Sequence, residues 1–251
     1  MRKKILIANW KMYLNEDKSL ELAKIYKKLL KSKSSLEIVA CPSFPYLSQI
    51  NKLWQKSKFA ICSQNIAFKE KGALTGEVSA TMVKELGCKY ALIGHSERRH
   101  QLGELDKMIN MKVNLAYHNK LIPVLCIGET LEEKTSGQRE SIISRQIRNA
   151  IEKVDSLPEN KLLIAYEPVW AIGGGESMDP EEMYTMIRII KRNISSLYSE
   201  KFFEENVSIL YGGSVNSINA KEFWNIDGLS GMLVGSASID ANEFYNISEQ
   251  V

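Results

Sequence analysis

Five polar side chains stand just after strand-like apolar runs: Lys11, His95, Glu97, Glu129 and Glu167. Those residue types can do proton chemistry together. A carboxylate takes a carbon-bound proton, an imidazole polarises a carbonyl, and an ammonium group balances the charge that builds up. Taken singly, each has a plainer reading. Lys11 reads as a solvated lysine, His95 in "HSERR" as a helix cap, Glu97 as the partner of a nearby base, and Glu129 as structural. The stretch "AYEPVWAIGGGES" (165–177) resists such a reading. It puts Glu167 at a strand end, follows it with Pro168 and Trp170, and finishes in three glycines. A surface loop needs no tryptophan, and a buried strand tolerates no glycine triplet. The pattern predicts a lid over 168–177, stiff at its start, compliant at its end, and covering an acid.

The elements that must hold these residues are short and regular. Apolar runs fall at 5–9, 36–40, 59–64, 90–94, 121–128, 162–166, 207–212 and 231–235. They are nearly continuous in hydrophobicity, as strands buried on both faces of a parallel sheet are. Between them lie amphipathic helical patterns. The segment 16–31 places Leu20, Ala23, Tyr26 and Leu30 on one face, and 179–194 opens with Asp179 as N-cap and Pro180 at the first helical position. Strand alternates with helix throughout, with no linker or low-complexity tract. Eight such units in 251 residues predict an α/β fold of the (β/α)8 barrel type, a single domain over 1–251. An open doubly wound sheet would want a glycine-rich turn after the first strand, where this chain has "NWKMY".

In such a barrel the site lies at the C-terminal ends of the strands. Asn9 and Lys11 then follow strand one, His95 and Glu97 strand four, Glu129 strand five and Glu167 strand six. The glycine turns "GGSV" (212–215) and "GSAS" (235–238) follow strands seven and eight. Backbone N–H groups in turns of this kind hold anions, so a small phosphorylated substrate is expected. The chain has no P-loop and no metal-ligand spacing, so neither nucleotide nor metal is expected.

Composition narrows the classes further. At 44% hydrophobic and 25% charged the chain is of ordinary globular type. A net charge of +3, without a run of like charges, argues against a nucleic-acid or membrane-surface partner. No apolar stretch approaches the roughly 18 residues of a membrane span. The start "MRKKILIANWKMY" lacks the long apolar run and cleavage signal of a secretory leader. Cys41, Cys62, Cys88 and Cys126 are widely spaced and read as reduced, buried thiols of a cytoplasmic protein.

Five motifs, "NWKM" (9–12), "GHSERR" (94–99), "CIGET" (126–130), "YEPVWAIG" (166–173) and "YGGSV" (211–215), closely resemble those of the triosephosphate isomerase family in order and spacing. So does "SQNIAFKEKGALTGEVS" (63–79), which resembles that family's subunit-contact loop. The resemblance implies cofactor-independent interconversion of dihydroxyacetone phosphate and D-glyceraldehyde 3-phosphate, a reaction of glycolysis and gluconeogenesis. It implies Glu167 as base, His95 as electrophile, Lys11 as positive charge oriented by Glu97, and Asn9 as a donor beside it. It further implies phosphate binding by N–H groups of Gly173, Ser214, Gly235 and Ser236. A homodimer is implied through loop 64–78, with Thr75 reaching the partner's Asn9 and Lys11 region. The chain departs from the family pattern at Tyr13, at Gly174-Gly175-Glu176, at Ser230 and at Ser236.

Overall fold

A computed structural model describes residues 3–30, 33–154, 161–173 and 177–251. Eight strands, β1 (Lys4–Asn9), β2 (Leu36–Cys41), β3 (Ala60–Ser63), β4 (Tyr90–Ile93), β5 (Ile122–Ile127), β6 (Leu162–Tyr166), β7 (Val207–Tyr211) and β8 (Leu229–Val234), pair in chain order. All pairings are parallel, and β8 closes on β1. The expected (β/α)8 barrel is therefore present, with helices packed around it.

Side chains alternate along each strand because successive Cβ atoms point to opposite faces. Ile5 and Ile7 point into the barrel with Val39, Cys62, Leu92, Val124 and Leu163, forming an inner core. Leu6 and Ala8 point outward into the larger core beneath the helices. Asn9 continues the inward set of β1, and Glu167 continues that of β6 after Leu163 and Ala165. On β4 the inward residues are Tyr90 and Leu92. Gly94 then turns with φ of +72°, a region L side chains avoid, and delivers His95 to the mouth.

Strand ends differ from the expectation by one or two residues. The largest change is at β8, which starts at Leu229. Ile209 pairs with Leu229 and Leu210 with Gly231, so Ser230 is the extra residue of a bulge. Gly231 itself has no room for a side chain, since a Cβ there would lie 1.8 Å from the Ile5 carbonyl oxygen.

Two helices illustrate the surrounding ring. Helix Glu16–Leu29 is capped by Asn15, whose Oδ1 accepts the Lys18 N–H at 3.0 Å. Its buried stripe is Ser19, Leu22, Ala23 and Tyr26. The expected stripe included Leu20, which is only half-buried at its edge. Leu22 is buried in its place, and Tyr26 of the same stripe stacks on Phe244, with ring centroids 4.9 Å apart. Helix Pro180–Leu197 starts as its sequence predicts, with Asp179 Oδ1 accepting the Glu181 and Glu182 N–H groups at 2.7 and 3.4 Å.

Three turns between helix and strand contain a lysine in the left-handed region: Lys56 (φ 68°), Lys120 (φ 55°) and Lys153 (φ 61°). Each costs about 1–2 kcal/mol compared with an ordinary backbone conformation. The four cysteines are free and buried. Among the described residues, no helix is long and apolar enough to cross a membrane.

Candidate active site

Glu167 lies at the end of β6 and is 1% exposed. Its Oε2 accepts the Ser96 backbone N–H at 2.9 Å. Its Oε1 lies 3.2 Å from His95 Nε2, yet the ring N–H is not aimed at it, and Oε1 accepts no hydrogen bond among the described residues. The carboxylate is thus tethered by one oxygen and keeps a lone-pair face for chemistry. Two glycines make the room: a Cβ at Gly128 would lie 1.7 Å from the Glu167 carbonyl oxygen, and one at Gly212 would lie 2.8 Å from Glu167 Cγ. Beneath it, burial first and the neighbouring Glu167 second push the Cys126 thiol up, so Cys126 packs as a neutral thiol.

His95 is the N-cap of helix Ser96–Gln101, and its Nδ1 accepts the Glu97 N–H at 3.3 Å. An acceptor nitrogen carries no proton. Accepting that hydrogen bond leaves Nε2, the nitrogen that faces Glu167, as the ring's donor. The expected capping role and the expected electrophile position fall on the same residue.

Lys11 sits on a strained backbone with φ of +49°. Three contacts hold it there. Its N–H donates to Asn9 Oδ1 at 3.1 Å, and its carbonyl accepts Ser43 Oγ at 3.1 Å and Gln64 Nε2 at 2.8 Å. Gln64 also donates to the Cys41 carbonyl at 2.8 Å, which ties the loops after β1, β2 and β3 together. Strain sustained by surrounding contacts is typical of working sites. Lys11 Nζ pairs with Glu97 Oε1 at 2.6 Å, and Gly235 lies against its side chain, where an added Cβ would be 3.5 Å from Lys11 Cε.

These residues line a cavity of about 270 Å³ together with Gly173, Gly213, Ser214 and Ser236. That is at the small end for a ligand site. The backbone N–H groups of Ser214 and Ser236 donate to no acceptor among the described residues. The turn at 212–215 is fixed from behind, with Asn219 Nδ2 donating to the Ser214 carbonyl at 3.1 Å. Gly213 is glycine because Tyr211 folds beneath it, leaving 2.3 Å between its hydroxyl and an added Cβ. That hydroxyl accepts the Met178 N–H at 3.0 Å, and burial pushes its pKa up to about 12.

Pro168 to Gly173 form the described start of the expected lid, with Val169–Ala171 in a 3-10 turn. Its tryptophan is anchored. Trp170 Nε1 donates to Glu129 Oε1 at 2.9 Å, and Glu129, fully buried, also accepts the Tyr166 hydroxyl at 2.9 Å and Arg139 Nε at 3.0 Å. Lys134 Nζ sits 3.6 Å from the Trp170 ring centroid. Gly174-Gly175-Glu176, the expected compliant end, lies outside the described residues.

Asn9, Lys11, His95, Glu167, Gly173, Ser214, Gly235 and Ser236 all border the one cavity, and Glu97 adjoins it through Lys11. Thr75 does not. It is exposed near the tip of a loop closed at its base by the Ala67 N–H to Val78 carbonyl bond at 2.8 Å. Sequence reading missed Ser96, Ser43 and the positioning work of Gln64. Their contributions are a backbone N–H and three long-range hydrogen bonds, which leave no local pattern. Among the described residues no cluster of three or more His, Cys, Asp or Glu side chains is arranged to hold a metal ion.

A closed parallel barrel that gathers a buried carboxylate, an imidazole and an ammonium group at its C-terminal mouth places the chain among the (β/α)8-barrel enzymes. The profile of the family described as triosephosphate isomerase matches residues 4–251. The triosephosphate isomerase of Dictyoglomus turgidum is 41% identical over 247 residues, covering 98% of this chain and 99% of the relative. That of Clostridium tetani is 40% identical over 244 residues, covering 97% and 95%. That of Gloeothece citriformis is 39% identical over 248 residues, covering 98% of each. The chain belongs to the triosephosphate isomerase family, and it is an isomerase.

Proposed function

We propose that this chain interconverts D-glyceraldehyde 3-phosphate and dihydroxyacetone phosphate through an enediolate, with Glu167 as the base and His95 as the electrophile. Glu167 removes the proton from the carbon beside the carbonyl and returns it to the neighbouring carbon. The electron pair released moves onto the carbonyl oxygen. His95 Nε2–H donates to that oxygen as its charge grows, and passes protons between the two oxygens. A neutral imidazole suits this task, and the Glu97 N–H at Nδ1 favours it. A carboxylate base beside a neutral imidazole is the established pattern of the triosephosphate isomerase family itself, and both roles are carried over from it. Lys11 offsets the developing negative charge, oriented by Glu97, with Asn9 beside it.

The phosphate sits on N–H groups of Ser214, Gly235 and Ser236, joined by that of Gly173 when segment 168–177 closes. Closure excludes water from around Glu167 and keeps the enediolate phosphate from eliminating its phosphate. The functional unit is a single barrel domain over 1–251, acting in the cytoplasm as a homodimer through loop 64–78. The large apolar side chains of Met12 (94% exposed), Leu102 (66%) and Met82 (54%) lie open on the lone chain, which supports a subunit contact that covers them.

The 3.2 Å approach of His95 Nε2 to a Glu167 oxygen that accepts no hydrogen bond supports these roles most directly. A coupled assay with glyceraldehyde 3-phosphate on the wild type, Glu167→Asp and His95→Gln tests them. Shortening the base misplaces it by about an ångström, so Glu167→Asp slows turnover ~10²-fold in a folded protein. His95→Gln lowers kcat far more than it raises KM. A near-normal rate in Glu167→Asp refutes the base assignment.

A further inference from the structure

The turns that lead into β3 and β5, with the helix ends beside them at the end opposite the active site, gather positive charge that the linear sequence disperses. Lys56 and Lys58 precede β3, Lys84 stands in the last turn of helix Ala80–Glu85, and Lys120 precedes β5. Lys27 and Lys52 occupy the last turns of helices Glu16–Leu29 and Leu47–Trp54, which end on the same side. Hydrogen bonds join neighbours across this surface. Lys27 Nζ donates to the Leu53 carbonyl at 2.7 Å, and Lys84 Nζ to the Lys120 carbonyl at 2.8 Å. All six lysines are exposed, and none forms an ion pair among the described residues. Among the carboxylates at this end, Glu37 is engaged with Lys89 and Glu249 with Lys33, while Glu152 and Asp227 stand exposed further round, in the turns before β6 and β8. Glu85 remains exposed beside Lys84.

A lysine near a helix C-terminus complements the helix dipole, which accounts for Lys27, Lys52 and Lys84. It does not account for Lys56 and Lys120. Both follow the end of a helix in the left-handed conformation, where glycine is the usual residue because it bears no Cβ. At these two positions charge is kept against a conformational cost.

The chemistry of the face limits its partner. Its cations are lysines, point charges without the planar fork that arginine offers to carboxylates. None of the large apolar side chains exposed among the described residues falls in these turns, so aromatic anchors for a protein partner and apolar anchors for a bilayer are lacking. Dispersed point charges without anchors suit a regular line of phosphates. We propose that this face binds the phosphate backbone of nucleic acid, without sequence preference and by charge alone. The absence of a basic run in the sequence does not oppose this, because each lysine arrives on a separate turn.

The full-length protein is titrated into a fluorescent DNA duplex of about 20 base pairs, following anisotropy from about 20 to 200 mM KCl. Each neutralised phosphate contributes about −0.9 to the slope of log affinity against log salt, so a slope of about −4 or steeper is expected. The double variant Lys56→Gly/Lys120→Gly relieves backbone strain and is expected to melt higher, with isomerase activity unchanged. Its slope should be shallower by about 2, and its affinity at about 50 mM salt at least tenfold weaker. Absence of binding at low salt overturns the proposal, as does a slope that the double variant leaves unaltered. Equal competition by polyglutamate, or retention on phosphatidylserine vesicles in place of duplex, overturns the choice of nucleic acid.

Discussion

Gly212 leaves the space that Glu167 fills: a Cβ at position 212 would stand 2.8 Å from Glu167 Cγ and 3.3 Å from the Tyr166 carbonyl oxygen. The glycine therefore sets where the carboxylate can sit, although it contributes no group to the reaction. Gly212→Ala should push the Glu167 side chain off its tether on the Ser96 N–H. Because a misplacement of about 1 Å can cost ~10²-fold, kcat should drop between tenfold and a hundredfold. The variant should remain folded by circular dichroism. Unchanged kcat would mean that Glu167 has slack its contacts do not suggest.

Glu129 is the hub beneath Trp170. Glu129→Leu would leave Arg139, the Tyr166 hydroxyl and Trp170 Nε1 without their common acceptor. Breaking a buried pair from one side costs about 3–5 kcal/mol. Arg139 retains Glu182 at 2.6 Å, so the lower end of that range is expected. Chemical denaturation should show the midpoint falling while the slope holds. A loss below about 1 kcal/mol would mean that the three donors find other partners.

Much of this arrangement is legible in the sequence, and the physical reasons are specific. Strands buried on both faces leave continuous apolar runs, so the barrel can be read, and strict alternation then places Asn9 and Glu167 inward from Ile5–Ile7 and Leu163–Ala165. Helix 180–197 is legible because Asp179 and Pro180 make its first turn. What escapes is whatever depends on contacts distant in the chain. The clamp on Lys11 brings in Ser43 and Gln64 from two other loops, and the tether on Glu167 uses a backbone N–H that every residue but proline has. Leu22 is buried while Leu20 is only half-buried, an outcome of tertiary packing in a helix whose Tyr26 meets Phe244 over two hundred residues away.

Subunit contact is expected at the tip of the loop Ala67–Val78. Thr75 is exposed there, between Leu74 and Gly76. Thr75→Arg should place an unpaired charge in the interface and give monomers of much reduced activity, read by sedimentation and a coupled assay. A fully active dimer would remove loop 64–78 from the contact.

The pH response of Glu182 follows from its two cations. Burial works to raise its carboxyl, but hydrogen bonds and attraction from Arg139 and Lys134 outweigh that and hold it below the usual carboxylate range. A carboxyl depressed in the folded state stabilises above its unfolded pKa of about 4.3, and this contribution fades as pH falls through the folded value. Glu182→Gln should therefore melt below the wild type at neutral pH and converge with it under acid. A gap that widens on acidification would reverse the sign assigned here.

Ser236 stands where the family pattern expects glycine, and two reasons for glycine can be separated. A left-handed backbone would make serine costly, yet Ser236 has no positive φ and opens a 3-10 turn, Ser236–Ile239. Its side chain is exposed, so Ser236→Gly removes neither strain nor packing, and thermal stability should change little. The second reason is space for phosphate against the backbone. Ser236 lines the cavity beside Gly235 and Lys11, and its N–H is retained in either residue. A hydroxyl turned toward the phosphate adds a hydrogen bond to a charged group, worth about 1.5 kcal/mol. Ser236→Gly should then weaken binding of a phosphate-bearing inhibitor by about tenfold at most. Isothermal titration of both proteins with the same inhibitor reads this directly. Tighter binding by the glycine variant would show that the serine crowds the phosphate and that its hydroxyl makes no useful contact.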